Sequence, residues 1–247
     1  MIRIVGSYVS PYVRKVLACM ALKGVEDYEI DPITPFFGDE EFSRLSPLRR
    51  IPVLIHGDLV INDSTVICAW LDEAYPGHPL LPASPADRAR ARWLEEYADS
   101  RLGDLCIWGL FYQRIVGPMV WGDATDEARV EAVLNEGLPG ALDYLEGEAP
   151  ADGYLFGEIG LTDIAVATFF RNAAYARFEI DAGRWPKTAG WVARTLAHDC
   201  IDRFLKYEKA QLSTNPAGRR QALLDAGAPL AAESIGTREP RRGMMKL

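Results

Sequence analysis

Ser10 and Pro11 lie where a short β-rich run, Ile2–Val5, gives way to apolar residues at helical spacing. The N-terminus of a helix offers free N–H groups and the positive end of its dipole, so a serine hydroxyl at this point can hold an anion. The same residue types are also favoured as a simple helix start, with serine as the N-cap and proline at the first helical position. The residues alone therefore leave anion binding and helix capping open for Ser10.

A second candidate is the run Ile51-Pro52-Val53, where a proline interrupts an apolar strand pattern. Proline removes one ladder donor, so it belongs at a sheet edge or at a special backbone position. The run predicts either a kinked edge strand or an exposed strand edge that pairs with a peptide-like ligand through main-chain hydrogen bonds.

The third candidate is the pair Asp63-Ser64, which opens the next helical pattern. The pair is well suited to capping that helix. Alternatively, Ser64 and its backbone N–H can bind a carboxylate while Asp63 binds an ammonium group.

Other familiar sites find no support in this sequence. His56, His78 and His198 are not paired at metal-ligand spacing, so we expect no metal. The chain has no P-loop, no G-x-G-x-x-G after the first strand and no G-x-S-x-G elbow, which argues against common nucleotide-binding and serine-hydrolase sites.

The elements that position the three candidates form a compact α/β unit. A β-α-β order is followed by β-β-α, with strands predicted at Ile2–Val5, Tyr28–Asp31, Ile51–Ile55 and Leu59–Ile61, and helices at Tyr12–Leu22 and Asp63–Tyr75.

A linker with four prolines, Pro76 to Pro85, follows this unit, and beyond it we predict only helices. The helical patterns run over Ala86–Leu110, Asp126–Leu145, Leu161–Tyr175 and Trp185–Leu205. Residues after Thr214 contain few large apolar groups and predict a partly ordered tail. The expected domains are therefore 1–78, a linker at 79–86, an all-α domain at 87–213 and a tail at 214–247.

Composition restricts the class of protein further. The 247 residues carry 27 Lys and Arg against 35 Asp and Glu, a net charge of -8 that disfavours nucleic acid as a partner. A basic cluster at the C-terminus, with Arg238, Arg241, Arg242 and Lys246, predicts a solvated tail.

The sequence also favours a cytoplasmic protein without a membrane segment. The N-terminal run predicts a strand and not a secretion signal, and the apolar stretch Ile107–Val120 is interrupted by Gln113, Arg114 and Pro118. Four widely spaced cysteines without a C-x-x-C pair indicate reduced, buried thiols.

Over about residues 1 to 205 the chain resembles the glutathione transferase family. The resemblance rests on four features in order: Ser-Pro between a strand and a helix, Ile-Pro-Val, Asp-Ser at a helix start, and a proline-rich linker that leads into helices. The resemblance implies a thioredoxin-like N-terminal domain followed by an all-α C-terminal domain. It implies glutathione as co-substrate, a small hydrophobic electrophile as second substrate, a homodimer and a role in detoxification.

In the serine-type branches (bacterial, theta-like and tau-like), Ser10 matches the residue whose hydroxyl donates to the glutathione sulfur. Tyrosine-type branches place their hydroxyl near Ser7, which leaves Tyr8 one position out of register; the order of preference is Ser10, Ser7, Tyr8. A cysteine stands at the position of Ser10 in the omega-like branch, so serine favours conjugation or addition over thiol–disulfide exchange.

The resemblance also implies which residues bind the rest of glutathione. Pro52 matches the family's cis-proline and Val53 the backbone that pairs with the cysteinyl part. Asp63 and Ser64 match the pair that binds the γ-glutamyl end of glutathione. Arg50 matches a basic position near the glycyl carboxylate, with Arg49 as the alternative.

A second-substrate wall between the domains would be aromatic. Its candidates are Tyr12, Phe37, Trp108, Phe111 and Tyr112, with Phe36 as a further option, and any one of them taken alone is better explained as core. One departure concerns the family's Ser/Thr-x-x-Asp capping box, where Asp163 is present but the cap position is Gly160.

Three other functions remain open. The same thiolate suits a glutathione-dependent isomerase or peroxidase, and the same fold suits a ligand- or partner-binding protein without turnover. A thiol–disulfide reductase is the weaker alternative, because Cys19 falls within the first helix, where we expect it to be packed.

Overall fold

The computed structural model describes residues 1–242 and contains a four-stranded mixed sheet in the order β2-β1-β3-β4. The strands are β1 (Ile2–Val5), β2 (Tyr28–Asp31), β3 (Val53–His56) and β4 (Leu59–Asn62). β1 runs parallel to β2 and antiparallel to β3, which pairs with β4 as a hairpin. With its helices, this sheet confirms the expected thioredoxin-like domain and, with the helical remainder, the expected fold class.

The described chain divides into two compact units. One contains Met1–His78 together with the described residues from Asp199 onward, and the other contains Pro79–His198. The sequence placed residues 199–213 in the helical domain and treated 214–247 as a separate tail, so the grouping of the C-terminal residues with the sheet differs from that expectation. Lys246 of the predicted basic cluster lies outside the described residues.

The first unit surrounds its sheet with helices from both ends of the chain. They are α1 (Pro11–Leu22), α2 (Glu40–Leu45), α3 (Ser64–Ala74), α9 (Asp199–Asp202), α10 (Leu205–Leu212) and α11 (Arg219–Asp225), with a short 3-10 turn at Pro35–Phe37. Because helices and loops cover the sheet, residues of the strands such as Ile4, Val5 and Leu54 are completely buried.

The second unit is helical. Its elements are α4 (Pro85–Tyr97), a segment with π-type hydrogen bonding (Ala98–Trp121), α5 (Glu127–Ala132), a second short π-type turn (Val133–Gly137), α6 (Leu138–Glu148), α7 (Leu161–Tyr175) and α8 (Pro186–Ala197). The predicted helix Ala86–Leu110 corresponds to α4 and the start of the π-type segment, but helical structure continues beyond Leu110 to Trp121. Gly109 lies inside this helical segment, and because a Cβ there would come within 2.5 Å of Val133 Cγ2, glycine permits the close packing at this point.

Helix α7 shows how the chain manages without the usual capping serine. The Asp163 carboxylate accepts hydrogen bonds from the N–H groups of Gly160 (2.9 Å) and Leu155 (3.0 Å) and from Trp191 Nε1 (2.6 Å). A Cβ on Gly160 would lie 3.0 Å from the carbonyl oxygen of Leu80, which leaves little room for serine. Half of the capping box is therefore kept and reinforced by tertiary contacts.

The C-terminal residues are more ordered than the sequence predicted. After α11 the chain forms a parallel bridge between Leu230 and Ile30 of β2 and an antiparallel bridge between Gly236 and Gly38. Composition could not reveal this packing, because it uses backbone groups and few large side chains. In the described residues no helix is both long and apolar enough to cross a membrane.

Candidate functional site

The site residues predicted from the sequence converge because the last residues of β1, β2 and β4 and the first residue of β3 are paired side by side in one row across the sheet. Val5 is the partner of Asp31 on one side and of Val53 on the other, and Val53 is the partner of Asn62. The chain leaves this row toward Ser10 after β1 and toward Asp63 after β4, and it enters the row through Pro52 before β3. The three sequence candidates therefore belong to one end of the sheet.

Gly6 brings two of these segments into close approach. Its φ is +152°, and a Cβ there would come within 2.5 Å of Val13 Cγ2 on α1 and 3.3 Å of Ile51 Cβ. A glycine is therefore needed for the start of α1 to approach the residue that precedes Pro52.

Ser10 is the N-cap of α1, and its side chain is partly exposed. Its Oγ accepts a long hydrogen bond from Val13 N–H at 3.4 Å, an arrangement in which the hydroxyl proton can still be donated. Capping and anion binding are thus compatible, and the geometry does not force a choice between them.

The two alternatives to Ser10 point into the protein. Ser7 is buried, and its Oγ accepts from Val9 N–H at 3.2 Å. Tyr8 is buried against Tyr207 and Phe204, and burial raises the pKa of its hydroxyl well above the ordinary value. Neither hydroxyl is as accessible as that of Ser10.

The Ile51–Pro52 peptide bond is cis. Pro52 precedes β3, which lies between β1 and β4, so the expected edge strand is wrong: both sides of β3 are paired. The proline costs no ladder bond because it stands outside the strand. Val53 itself is fully buried, and pairing between its main chain and a ligand stays a prediction.

Asp63 has an unusual backbone for an aspartate, with φ +78° and ψ 131°. Its Oδ1 accepts from the N–H groups of Thr65 (2.9 Å) and Val66 (3.3 Å), so it is the cap of α3. Ser64 is buried at the first position of the helix. The exposed carboxylate of Asp63 is suited to bind an ammonium group, and backbone strain of this kind is often found at ligand sites.

The two neighbouring arginines have different surroundings. Arg50 is exposed at the surface of the loop before Ile51. Arg49 is buried, and its guanidinium donates to the carbonyls of Pro35 (3.0 Å), Gly38 (2.8 Å) and Asp39 (3.3 Å). Arg49 is therefore committed to holding this loop, and it does not suit the alternative role of binding a ligand carboxylate.

The aromatic candidates are divided between the units. Tyr12 and Phe37 are partly exposed in the first unit. In the second unit Trp108 and Tyr112, one helical turn apart, are partly exposed and their ring centroids are 5.6 Å apart. Phe111 is 6% exposed and lies near Tyr175, so it is mainly a core residue.

Sequence reasoning missed a buried ion pair next to the Ser10 loop. Arg14 Nε and Nη2 donate to the two oxygens of Glu208 at 3.0 and 2.7 Å, and both side chains are inaccessible to solvent. Arg14 Nη2 also lies 3.5 Å from the carbonyl oxygen of Val9. A charged residue inside the apolar pattern of α1 was the available signal, but nothing in the sequence pointed to Glu208.

Comparison with known proteins bears on this arrangement. Residues 4–79 match the family model described as the glutathione S-transferase N-terminal domain. The chain is 28% identical over 219 residues to glutathione S-transferase U13 of Arabidopsis thaliana, an alignment covering 83% of this chain and 90% of the relative. Glutathione S-transferase Z1 of the same plant is 44% identical over 78 residues, which covers 30% of this chain and 35% of that protein.

A solved structure agrees over both units. A glutathione S-transferase from Rhodospirillum rubrum F11 matches with a TM-score of 0.74 and 26% identity, covering 83% of this chain and 92% of that one. The sheet end that carries Ser10, Pro52 and Asp63 lies within the residues that the family model matches. Residues 4–79 therefore match the N-terminal domain of the glutathione transferase family, and the chain as a whole is similar to glutathione transferases.

Proposed function

We propose that the protein is a glutathione transferase in which Ser10 stabilises the glutathione thiolate for attack on a small hydrophobic electrophile. The observation that carries the proposal is the accessible Ser10 hydroxyl at the N-terminus of α1, beside the cis-proline segment at one sheet end. The names of the matched relatives support the reaction class.

The physical requirement is to ionise a thiol near neutral pH. A free thiol has a pKa of about 8.5, so only a few per cent is thiolate at pH 7. A hydroxyl donor at a helix N-terminus stabilises the thiolate relative to the neutral thiol and can lower the thiol pKa by about one or two units. Each unit corresponds to about 1.4 kcal/mol of stabilisation of the thiolate. The thiolate sulfur then forms a bond to the electrophilic carbon. The displaced electron pair leaves with a leaving group or is protonated on the substrate.

The remaining site residues bind and orient the tripeptide in this proposal. Asp63 and Ser64 take the γ-glutamyl end, because a carboxylate and a helix N-terminus match an ammonium and a carboxylate. Val53 pairs with the cysteinyl backbone beside Pro52, and Arg50 faces the glycyl carboxylate. The candidates for holding the electrophile are the partly exposed aromatic residues, Tyr12 and Phe37 of the first unit and Trp108 and Tyr112 of the second, whereas Phe111 is left to the core.

We further propose that the protein acts as a cytoplasmic homodimer in detoxification. The four cysteines are buried thiols that form no disulfide, which suits a reducing compartment. The dimer is inferred from the family alone.

The test is the pH dependence of the ultraviolet thiolate signal of bound glutathione, with and without Ser10→Ala. We expect a depressed thiol pKa in the parent protein and a return of one to two units toward about 8.5 in Ser10→Ala. Ser7→Ala provides the comparison with the second-ranked hydroxyl.

The matched control is Ser84→Ala. Ser84 caps α4 before Pro85, and its Oγ accepts from Asp87 N–H at 3.5 Å, so this variant removes a similar Ser-Pro cap far along the chain. If Ser10→Ala binds glutathione with an unchanged thiolate pKa, Ser10 is only a cap and the mechanism fails. Binding without turnover of any electrophile would instead favour a ligand-binding protein, and no binding would overturn the proposal.

A further inference from the structure

The residues after α11 form a strap along the sheet edge, here called the C-terminal strap and defined as residues 229–241. β2 is an edge strand, and an edge leaves backbone groups unpaired. Ile30 N–H donates to the carbonyl of Pro229 at 2.8 Å, and Ala231 N–H donates to the carbonyl of Ile30 at 2.9 Å. The strap therefore satisfies backbone groups of Ile30 that an open edge would expose.

A buried carboxylate fastens the strap at the end of β2. Asp31 is fully buried, and its oxygens accept from Ser234 Oγ at 2.8 Å and from Ile235 N–H at 2.9 Å. The side chain of Ile235 is 6% exposed and belongs to a core cluster with Val5, Ile33, Phe42 and Val53. The strap is consequently part of the core beneath the first residue of β3.

Beyond this anchor the strap contacts each residue of one short segment. The segment is residues 36–39, which includes Phe37 of the proposed second-substrate wall. Thr237 N–H donates to the carbonyl of Phe37, and Arg241 N–H donates to the carbonyl of Phe36 at 2.9 Å. The Thr237 hydroxyl lies within hydrogen-bond distance of the carbonyl oxygens of Phe37 (3.0 Å) and Glu239 (2.7 Å), and its single proton is donated to one of them at a time. Asp39 N–H donates to the carbonyl of Ile235 at 3.0 Å.

The same segment is fixed from the other side by Arg49, which donates to the carbonyls of Gly38 and Asp39. Arg49 directly precedes Arg50 and the cis-proline segment. A charge contact links the two sides as well: Arg241 pairs with Glu40 at 2.9 Å, and burial together with the charge of Arg241 lowers the pKa of Arg49. Displacement of the strap would therefore be transmitted to Phe36, Phe37 and the loop of Arg49.

We propose that the C-terminal strap is a positioning element that holds residues 36–39 and thereby sets the selectivity of the second-substrate wall at Phe37. This inference rests on the proposed function, since Phe37 matters for selectivity only if an electrophile binds there. It assigns a role to the C-terminal residues that the sequence resemblance, ending near residue 205, did not cover.

Full-length variants of the strap provide the test. Thr237→Pro removes the N–H that donates to the carbonyl of Phe37, together with the hydroxyl that is shared between Phe37 and Glu239. Gly236→Val acts independently, because a Cβ at Gly236 would lie 2.8 Å from Ile33 Cγ2 and must push the strap away. Arg238→Ala is the matched control, since it truncates an exposed side chain between the same contacts.

Two readouts separate positioning from general stability. Hydrogen exchange at Asp39 N–H should accelerate by about tenfold or more in Thr237→Pro and Gly236→Val, with the β1 amides unchanged. The ratio of dissociation constants for S-methylglutathione and S-hexylglutathione reports contact between the alkyl group and the wall. We expect this ratio to fall by about fourfold, the factor for one buried methylene group, while Arg238→Ala keeps the parent values.

Each outcome decides the matter. Faster exchange with an unchanged ratio shows that the strap is only structural and overturns the positioning role, as does unchanged exchange in both variants. If the β1 amides of Thr237→Pro lose their protection from hydrogen exchange, that variant is globally unfolded. The result for Gly236→Val then decides whether the strap has a positioning role. If the parent protein binds neither glutathione conjugate, the proposed function fails and the selectivity role fails with it, whereas the exchange rates still show whether the strap holds residues 36–39.

Discussion

At the scale of single residues, the buried ion pair of Arg14 and Glu208 is a feature whose disruption has a large energetic consequence. Both side chains have no solvent exposure, and the two parallel hydrogen bonds of 3.0 and 2.7 Å form a bidentate pair. Arg14 lies one turn after Ser10 on α1, and Glu208 lies on α10. The pair therefore connects the helix that carries the proposed catalytic hydroxyl to the C-terminal helices of the same unit.

We predict that Glu208→Ala lowers the free energy of unfolding by about 3–5 kcal/mol, because it leaves the Arg14 charge buried without its carboxylate. The double variant Arg14→Met/Glu208→Leu should recover most of that loss, since apolar side chains of similar volume avoid the desolvation cost of both charges. Urea unfolding of the three proteins measures both values. A loss below about 1 kcal/mol in Glu208→Ala would mean that water reaches the guanidinium and that the pair is not a buried one.

At the scale of elements, α8 begins without a capping side chain of its own. Its N-cap position is Trp185, and Glu146 from α6 supplies the acceptors instead. The Glu146 carboxylate accepts from Lys187 N–H at 2.9 Å and from Thr188 N–H and Oγ1 at 2.8 and 2.7 Å. Burial pushes the pKa of Glu146 upward, but the hydrogen bonds from Thr188 and Lys187 outweigh it and hold the pKa below its usual value.

This lowered pKa predicts a pH dependence with a defined sign. The carboxylate is the form favoured by folding, so its stabilisation is complete above the unfolded-state pKa of about 4.3 and is lost as the pH falls through the lower folded-state pKa. Glu146→Gln should therefore melt at a lower temperature than the parent near pH 7, and the difference should shrink below about pH 4. Glu131→Gln, an exposed position on α5, is the control and should follow the parent at every pH. A constant difference between parent and Glu146→Gln down to pH 3 would contradict the titration.

The elements also show what the sequence can and cannot reveal. The strands and the helix after Ser10 were predictable because residues 1–75 follow local patterns, with Asp63 and Ser10 acting as the expected caps. The interior position of β3 was not predictable, because a proline before a strand and a proline inside an edge strand give the same residue order. Asp31, Arg14 and Glu146 each have hydrogen-bond partners that lie more than forty residues away in the sequence. Local sequence patterns do not predict contacts over such separations.

At the scale of the whole molecule, the chain returns at its C-terminus to the unit in which it began. The first unit contains three cysteines, Cys19, Cys68 and Cys200, and the second contains Cys106. All four are buried thiols that form no disulfide. A hydrogen bond with Cys68 and burial raise the pKa of the Cys19 thiol, and burial raises that of Cys106 well above its ordinary value.

The rate at which each thiol is modified therefore measures the unfolding of the unit that contains it. Because the thiolate is the reactive form and all four side chains are covered, we predict that a disulfide reagent such as DTNB modifies them in the native protein at about a thousandth of the rate in urea, or slower. The rate for Cys106 should follow the unfolding of Pro79–His198, and the rates for Cys19, Cys68 and Cys200 that of the other unit. Mass spectrometry of timed samples assigns the rates, and the unfolded chain gives the reference. Rapid modification of Cys19 in the folded protein would contradict this burial and would restore the thiol–disulfide reductase hypothesis, because that chemistry needs an accessible thiolate in the first helix.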